Sequence, residues 1–202
     1  MSNSILDIRQ RFVSNFVWAL PFGKGKRFLS SGGVASKVLG DWQFNGIVDL
    51  QTGTPFGVSA PDNSFSGPAH ASYANCLGNA FVGTSGDPSV YTSTGFFLNP
   101  AAFAVPAAGT FGNCKPLPFH GPGIQDTDLS LFKDFSVTER YRLQFRAEFF
   151  NAFNHPNFSN PGPFVGFPGT FQVNSTLAPI LGTDSGGPGD PREIQFALKL
   201  FF

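Results

Sequence analysis

The chain has 202 residues with 13 basic and 13 acidic side chains, so its formal net charge is zero. The chain therefore has no excess of positive charge to neutralise a nucleic-acid backbone, which argues against a nucleic acid as partner. Charged residues make up only 13% of the chain, about half the share usual in soluble domains. The 26 Phe, 24 Gly and 17 Pro residues instead favour β structure with long loops.

Five segments alternate between apolar and polar residues with the period of a β-strand. In the second segment, for example, Trp42, Phe44 and Val48 share one face, while Gln43 and Asn45 lie on the other. The predicted strands, in chain order, span residues 9–20, 42–51, 126–135, 140–150 and 192–202.

The alternation predicts one apolar and one polar face for each strand. In a soluble β-sandwich the apolar face points to a core, whereas in an outer-membrane barrel it points to lipid and the polar face lines the lumen. No apolar run approaches the ~20 residues of a membrane-spanning helix, but a barrel strand needs only ~9–11. In the barrel interpretation the charged wall of the lumen comprises Asp126, Asp128, Asp134, Arg140, Arg142, Arg146 and Glu148.

The connections between strands favour the barrel, because soluble domains rarely contain structureless loops longer than ~12–15 residues. Two connections here are far longer, at residues 53–123 and 152–191, whereas residues 136–139 form a tight link. If Phe202 ends in the periplasm, both long loops are extracellular and the tight link is periplasmic. The connection between the first two strands is then periplasmic as well, and it contains four basic residues, Lys24, Lys26, Arg27 and Lys37.

Five strands are too few to close a membrane barrel, since the smallest have about eight. Residues 1–202 are therefore expected to be part of a larger barrel. The residues before Arg9 contain no apolar core of a signal peptide, so either the chain is cytoplasmic or its true N-terminus is missing. The predicted fold is all-β, with antiparallel strands forming the C-terminal part of a transmembrane outer-membrane barrel with two long extracellular loops.

The two cysteines, Cys76 and Cys114, lie in sequence rich in Gly, Pro and Asn within the first long loop. Their spacing fits no zinc-binding pattern. In an exported protein they are expected to form a loop disulfide, with two unpaired thiols as the alternative.

Candidate catalytic residues are few. The segment Asp184–Pro188 resembles the nucleophile segment of trypsin-like proteases, and His70 lies upstream. However, Thr183 stands where those proteases have Gly, so a turn-rich loop is the preferred interpretation. The three histidines also match no metal-binding spacing. We therefore expect no enzyme activity, no catalytic residue, no metal and no cofactor.

Several motifs together resemble the late barrel strands of Oar-like TonB-dependent transporters. The most specific is Leu143–Phe158, with the sequence LQFRAEFFNAFNHPNF. The others, in chain order, are Leu20–Phe28, Gly40–Ile47, Gln51–Phe56, Phe97–Phe103, Gly121–Gly123, Asp128–Phe135 and Arg192–Phe202. The resemblance implies a barrel of about 22 strands, filled by an N-terminal plug and driven by TonB, that moves bulky substrates.

The resemblance also implies a location and partners. Such a chain resides in the outer membrane of a Gram-negative bacterium, in contact with lipid and with the rest of the barrel. The plug has no counterpart in residues 1–202, so TonB would act only through a plug supplied from elsewhere. The terminal strand would be recognised by the barrel-assembly machinery through Ile194, Phe196, Leu198, Leu200 and Phe202. The alternative kept open is a soluble or secreted β-sandwich module that binds a glycan through loop aromatics.

Overall fold

The computed structural model describes residues 3–31, 33–66, 72–81, 95–136, 138, 140–173, 177, 189 and 191–202. Within them the secondary structure is almost entirely β, which confirms the predicted all-β class. The elements in chain order are β1 (Arg11–Ala19), α1 (Val34–Leu39), β2 (Trp42–Gln51), β3 (Pro55–Phe56), β4 (Ser59–Ala60), β5 (Ser72–Tyr73), β6 (Asn75–Cys76), a 3-10 turn (Pro100–Ala102), β7 (Phe103–Ala104), β8 (Phe119–His120), β9 (Ile124–Ser136), β10 (Arg142–Phe150) and β11 (Glu193–Phe201). Neither helical segment in these residues has the length or apolar character needed to cross a membrane.

The chain folds as two compact units. The sheet unit contains the described residues within 12–50, 125–156 and 179–202. The loop unit contains those within 1–11, 51–124 and 157–178. Each unit is built on contacts between segments that are far apart in the sequence.

The sheet unit is organised around one sheet with the strand order β1-β2-β9-β10-β11. β10 pairs antiparallel with β11 on one side, where Arg142 lies opposite Phe201. It pairs antiparallel with β9 on the other side, where Arg142 lies opposite Ser136. The β9–β10 turn and the C-terminal end of β11 therefore lie at the same end of the sheet.

β1 and β2 also run antiparallel and approach each other closely at Gly46. The backbone N–H of Leu20, just after β1, donates to the carbonyl of Trp42 at the start of β2 (2.8 Å). Midway along the pair, a Cβ on Gly46 would lie 2.5 Å from the ring of Phe16. The missing side chain lets Phe16 lie over β2, where its ring centroid is 5.5 Å from that of Phe44.

The fourth long strand begins later than the predicted residue 140, because the residues before it form the turn between β9 and β10. The Thr138 hydroxyl accepts hydrogen bonds from the backbone N–H groups of Arg140 (3.3 Å) and Tyr141 (3.0 Å). These bonds hold the residues in a turn, so β10 begins at Arg142. Arg140 therefore precedes the strand, and its prediction as part of a strand face was wrong.

The loop unit has a hydrophobic core of its own. Within its described part, short antiparallel ladders pair β3 with β8, β4 with β5 and β6 with β7. Aromatic and small apolar side chains pack between them, and Val58, Leu98 and Phe171 are completely buried. The described parts of the long connections are thus packed around a core rather than extended into solvent.

Candidate functional site

One side of the sheet carries most of its polar side chains, and we call it the polar face. Residues directly opposite each other in an antiparallel pair project to the same side of the sheet. Gln144 lies opposite Asp134 on β9 and Lys199 on β11, and Glu148 lies opposite Ser130 on β9. The polar positions of three consecutive strands are therefore in register on one surface.

Four side chains at one end of the polar face form a connected set. Gln144 Nε2 donates to Asp134 Oδ1 at 2.9 Å, and Arg146 Nε donates to Gln144 Oε1 at 2.6 Å. Arg142 Nη1 lies 3.8 Å from Asp134 Oδ2, and both side chains are roughly half exposed. Because an exposed ion pair adds at most about 1 kcal/mol to stability, its main consequence is to fix where the charges lie.

Two phenylalanines on the polar face were not anticipated from the sequence. The guanidinium carbon of Arg146 lies 4.6 Å from the ring centroid of Phe132, and that of Arg142 lies 4.7 Å from the ring of Phe201. Each arginine is directly opposite its phenylalanine in the register. The sequence does show that Phe132 and Phe201 interrupt the alternation of apolar and polar residues. Their pairing with the two arginines, however, depends on the register of the strands.

The other end of the polar face contains a concavity of about 420 Å³ with a mixed polar and apolar lining. Asp128, Ser130 and Glu148 contribute to its wall. Asn45 Nδ2 donates to Ser130 Oγ at 3.3 Å, and the backbone N–H of Asn151 donates to Asp128 Oδ1 at 3.0 Å. Asp128 therefore holds the chain just beyond the end of β10 in addition to lining the concavity.

The residues predicted as a charged lumen wall do not form one cluster. Asp134, Arg142 and Arg146 are brought together with Gln144, and Glu148 lines the concavity. Asp126 is half-buried nearer the start of β9, and Arg140 is exposed in the turn before β10.

The opposite side of the sheet, which we call the apolar face, exposes a row of large hydrophobic side chains. On β11 these are Ile194, Phe196, Leu198 and Leu200, each at least 50% exposed. They lie directly opposite Phe149, Ala147, Phe145 and Leu143 of β10. Phe202 follows the strand and is 86% exposed. A continuous apolar surface of this kind indicates contact with lipid or with another protein surface.

The loop unit carries a groove of about 560 Å³ with a mainly apolar wall. Phe164 and Phe167 contribute to it, and they meet edge to face with ring centroids 6.3 Å apart. Both rings remain substantially exposed. The Thr170 hydroxyl donates to the carbonyl of Phe167 at 2.6 Å and so stabilises the turn that presents the ring. Such a groove suits the apolar or ring-shaped part of a ligand.

Cys76 and Cys114 form a disulfide in the loop unit, with their Cα atoms 5.2 Å apart. Cys114 is buried in the core, and the backbone N–H of Cys76 donates to Asn113 Oδ1 at 2.6 Å. The protease-like segment 184–188 and His70 lie outside the described residues. Within the part of the chain that the structure describes, no cluster of His, Cys, Asp and Glu could hold a metal ion.

Comparison with protein families decides the class of the chain. A family model described as an outer membrane beta barrel domain matches residues 1–195, nearly the whole chain. The chain belongs to this family. Membership of this family locates the chain in the outer membrane of Gram-negative bacteria and supports a transport-type role. This location decides against the soluble β-sandwich alternative. Searches of curated proteins and of solved structures found no match to the chain.

Proposed function

We propose that the outer membrane β-barrel domain forms part of the wall and outer loops of an Oar-like TonB-dependent transporter for a bulky substrate. The observation that carries the proposal is the separation of the sheet into a polar and an apolar face. The motif resemblance, strongest at Leu143–Phe158, supports the TonB-dependent type. The proposed role is passive and not enzymatic. The domain would form part of the wall of a gated lumen and the surface that the substrate contacts first.

The apolar face would contact the lipid of the outer membrane, and the polar face would line the lumen. In membrane barrels the lipid-facing and lumen-facing residues alternate along each strand. The ordered charges of Asp134, Arg142 and Arg146 would then present both signs to a passing substrate. The open edges at β1 and β11 would pair with further strands, because an unpaired edge is not tolerated in lipid.

The orientation follows from the same proposal, with the end of β11 at the periplasm and the two long connections extracellular. The barrel-assembly machinery would recognise β11, and TonB would act through a plug outside these residues. The groove at Phe164 and Phe167 is the part of the loop unit best suited to first contact with a substrate. No cofactor or metal is needed for this role.

Paired cysteine substitutions test which face meets water. Gln144→Cys on the polar face and Phe145→Cys on the apolar face differ by one residue on β10. Both would be placed in the full-length gene product in the outer membrane and treated with a membrane-impermeant thiosulfonate reagent. Cys76 and Cys114 are joined in a disulfide and do not compete for the reagent. We expect labelling of Gln144→Cys and protection of Phe145→Cys, and the reverse pattern would reject the proposed wall.

Dependence on TonB needs a separate test. The full-length gene product, extracted in detergent and shown to have the heat-modifiable gel mobility of a barrel, would be mixed with the periplasmic domain of TonB. We expect capture of the barrel by this domain. A heat-modifiable product that TonB never captures would reject the TonB-dependent type and leave the outer-membrane barrel intact.

A further inference from the structure

The connection between β1 and β2, residues 20–41, is folded against the apolar face of the sheet. Lys133 Nζ on β9 donates to the carbonyl oxygens of Val38 (3.0 Å) and Gly40. Trp42 Nε1 donates to the same carbonyl of Val38 at 3.1 Å. Gly40 has no room for a side chain, since a Cβ there would lie 2.6 Å from the Cα of Gly23. The connection is therefore tied to the sheet at Val38 and Gly40, and it packs closely on itself at Gly40 and Gly23.

Lys133 explains why these ties exist. It lies directly opposite Phe145 and so belongs to the apolar face, yet it is only 2% exposed. Its ammonium group lies 5.2 Å from the ring of Trp42 and 5.0 Å from the ring of Phe135. A charged group on a lipid-facing surface is costly unless polar groups surround it. The backbone carbonyls of the connection meet that need, so the lysine and the connection form one structure.

The connection and the sheet together form an open apolar groove of about 610 Å³. Its lining includes Phe22, Phe28 and Leu39 from the connection and Trp42 and Leu131 from the strands. The rings of Phe22 and Phe28 are 5.5 Å apart, and both side chains remain partly exposed. The groove offers almost no hydrogen-bonding group, so its chemistry matches a hydrocarbon chain.

Basic side chains are concentrated in the connection that lines this groove. The connection contains Lys24, Lys26, Arg27 and Lys37, all exposed, against the single acidic residue Asp41. The Arg27 guanidinium lies 5.5 Å from the ring of Phe28, which places one positive charge at the groove itself. Basic and apolar residues combined on one surface segment are typical of binding at the interface of an anionic membrane.

We propose that residues 20–41 are an interfacial anchor that binds an anionic phospholipid of the inner leaflet of the outer membrane. One acyl chain would occupy the groove at Phe22 and Phe28, and the headgroup phosphate would meet the basic side chains. The inference rests on the proposed function, because the proposed orientation places the connection at the periplasmic side. It adds a specific lipid site to a barrel wall that otherwise needs only unspecific contact with hydrocarbon.

Lipid titration tests the anchor directly. The full-length gene product would be stripped of lipid in neutral detergent and titrated with phosphatidylglycerol, phosphatidylcholine or lipid A, with bound lipid counted by native mass spectrometry. The test variant replaces all four basic residues of the connection by Gln. The matched control replaces four exposed basic residues elsewhere by Gln, namely Arg9, Lys115, Arg192 and Lys199.

We expect the unaltered protein to prefer phosphatidylglycerol to phosphatidylcholine. The test variant should bind phosphatidylglycerol at least about tenfold more weakly, because each basic residue near an anionic surface adds to binding. The control should stay within about twofold of the unaltered protein. Equal binding by test and control variants, or a preference for lipid A over phosphatidylglycerol, would overturn the anchor. Neither outcome changes the cysteine-labelling pattern, so failure of the anchor and failure of the barrel wall are distinguishable.

A second variant tests whether the groove depends on Lys133. Lys133→Met removes the donor that holds Val38 and Gly40, so trypsin should cleave the connection at Lys24, Lys26 and Arg27 about tenfold faster. Lys133→Arg keeps the charge and the donors and should restore protection. Equal cleavage of the Met variant and the unaltered protein would contradict a connection held in place for lipid binding.

Discussion

The core of the loop unit provides the sharpest stability prediction, through Phe171. Its side chain is completely buried, and its ring centroid lies 4.7 Å from that of Phe103. Its backbone has φ +63°, a conformation that costs a residue with a side chain roughly 1–2 kcal/mol. The burial of the ring offsets this cost, so truncation of the side chain should leave the strained backbone without the packing that compensates for it.

Phe171→Ala should therefore destabilise the loop unit by about 3–5 kcal/mol, the range for truncation of a buried phenylalanine. At ~1.4 kcal/mol per power of ten, the population of opened loop unit should rise by roughly two to three-and-a-half powers of ten. Phe171→Leu keeps most of the buried volume and should cost only about 1 kcal/mol. Phe111→Ala is the control, because the side chain of Phe111 is 70% exposed.

Limited proteolysis of the full-length gene product in detergent measures this opening, because cleavage follows the population of the open form when opening is fast. Mass spectrometry would map the cuts within residues 51–124 and 157–173. We expect faster cleavage for Phe171→Ala than for Phe171→Leu, and no change for Phe111→Ala. If Phe171→Ala and Phe111→Ala were cleaved at the same rate, the described core would not be what stabilises the loops.

Three further predictions concern the disulfide, the strand pairing and the two faces. Cys76→Ser removes a disulfide with a sequence separation of 38, so the free energy of unfolding of the loop unit should fall by about 4 kcal/mol. Proteolysis of the variant should be faster, and a reducing agent should no longer increase its rate. Gly46→Leu should collide with Phe16 and lower the temperature of heat modification of the barrel, and adding Phe16→Ala should restore part of the loss; no change in Gly46→Leu would contradict the close approach. Phe145→Arg on the apolar face should destabilise the barrel by about 2–4 kcal/mol near the middle of the membrane, whereas Arg146→Gln on the polar face should cost at most about 1 kcal/mol. Urea titration of the folded barrel in lipid vesicles compares the last two, and equal losses would contradict the assignment of the faces.

The strand positions were accessible from the sequence because alternation is a local property. Trp42–Gln51 and Arg142–Phe150 each show the period of two that a half-polar strand requires. Lys133 shows where this argument stops. Its position in the apolar series of β9 looks like a defect in the pattern, and only the carbonyls of Val38 and Gly40, nearly a hundred residues away, explain it.

The candidate sites were accessible only in part. The acidic and basic positions of Asp134 and Arg142 were assigned to one face from alternation, and the register places them 3.8 Å apart. The aromatic partners of the arginines could not be inferred, because a one-residue change of register would bring other residues opposite them. The groove at Phe164 and Phe167 depends on how the loop unit folds. The Gly- and Pro-rich sequence of this unit has no periodic pattern from which that fold could be predicted.

The sequence by itself determined that the chain is all-β, where its long strands lie and which side chains share a face. These properties depend on residues within a few positions of one another. Only the tertiary structure decided the register of the strands, the disulfide between Cys76 and Cys114, the packed core of the loop unit and the fold of residues 20–41 against Lys133. Each of these depends on contacts between segments that are distant in the sequence. The free energy of burying a side chain there is set by neighbours that cannot be identified from the local sequence pattern.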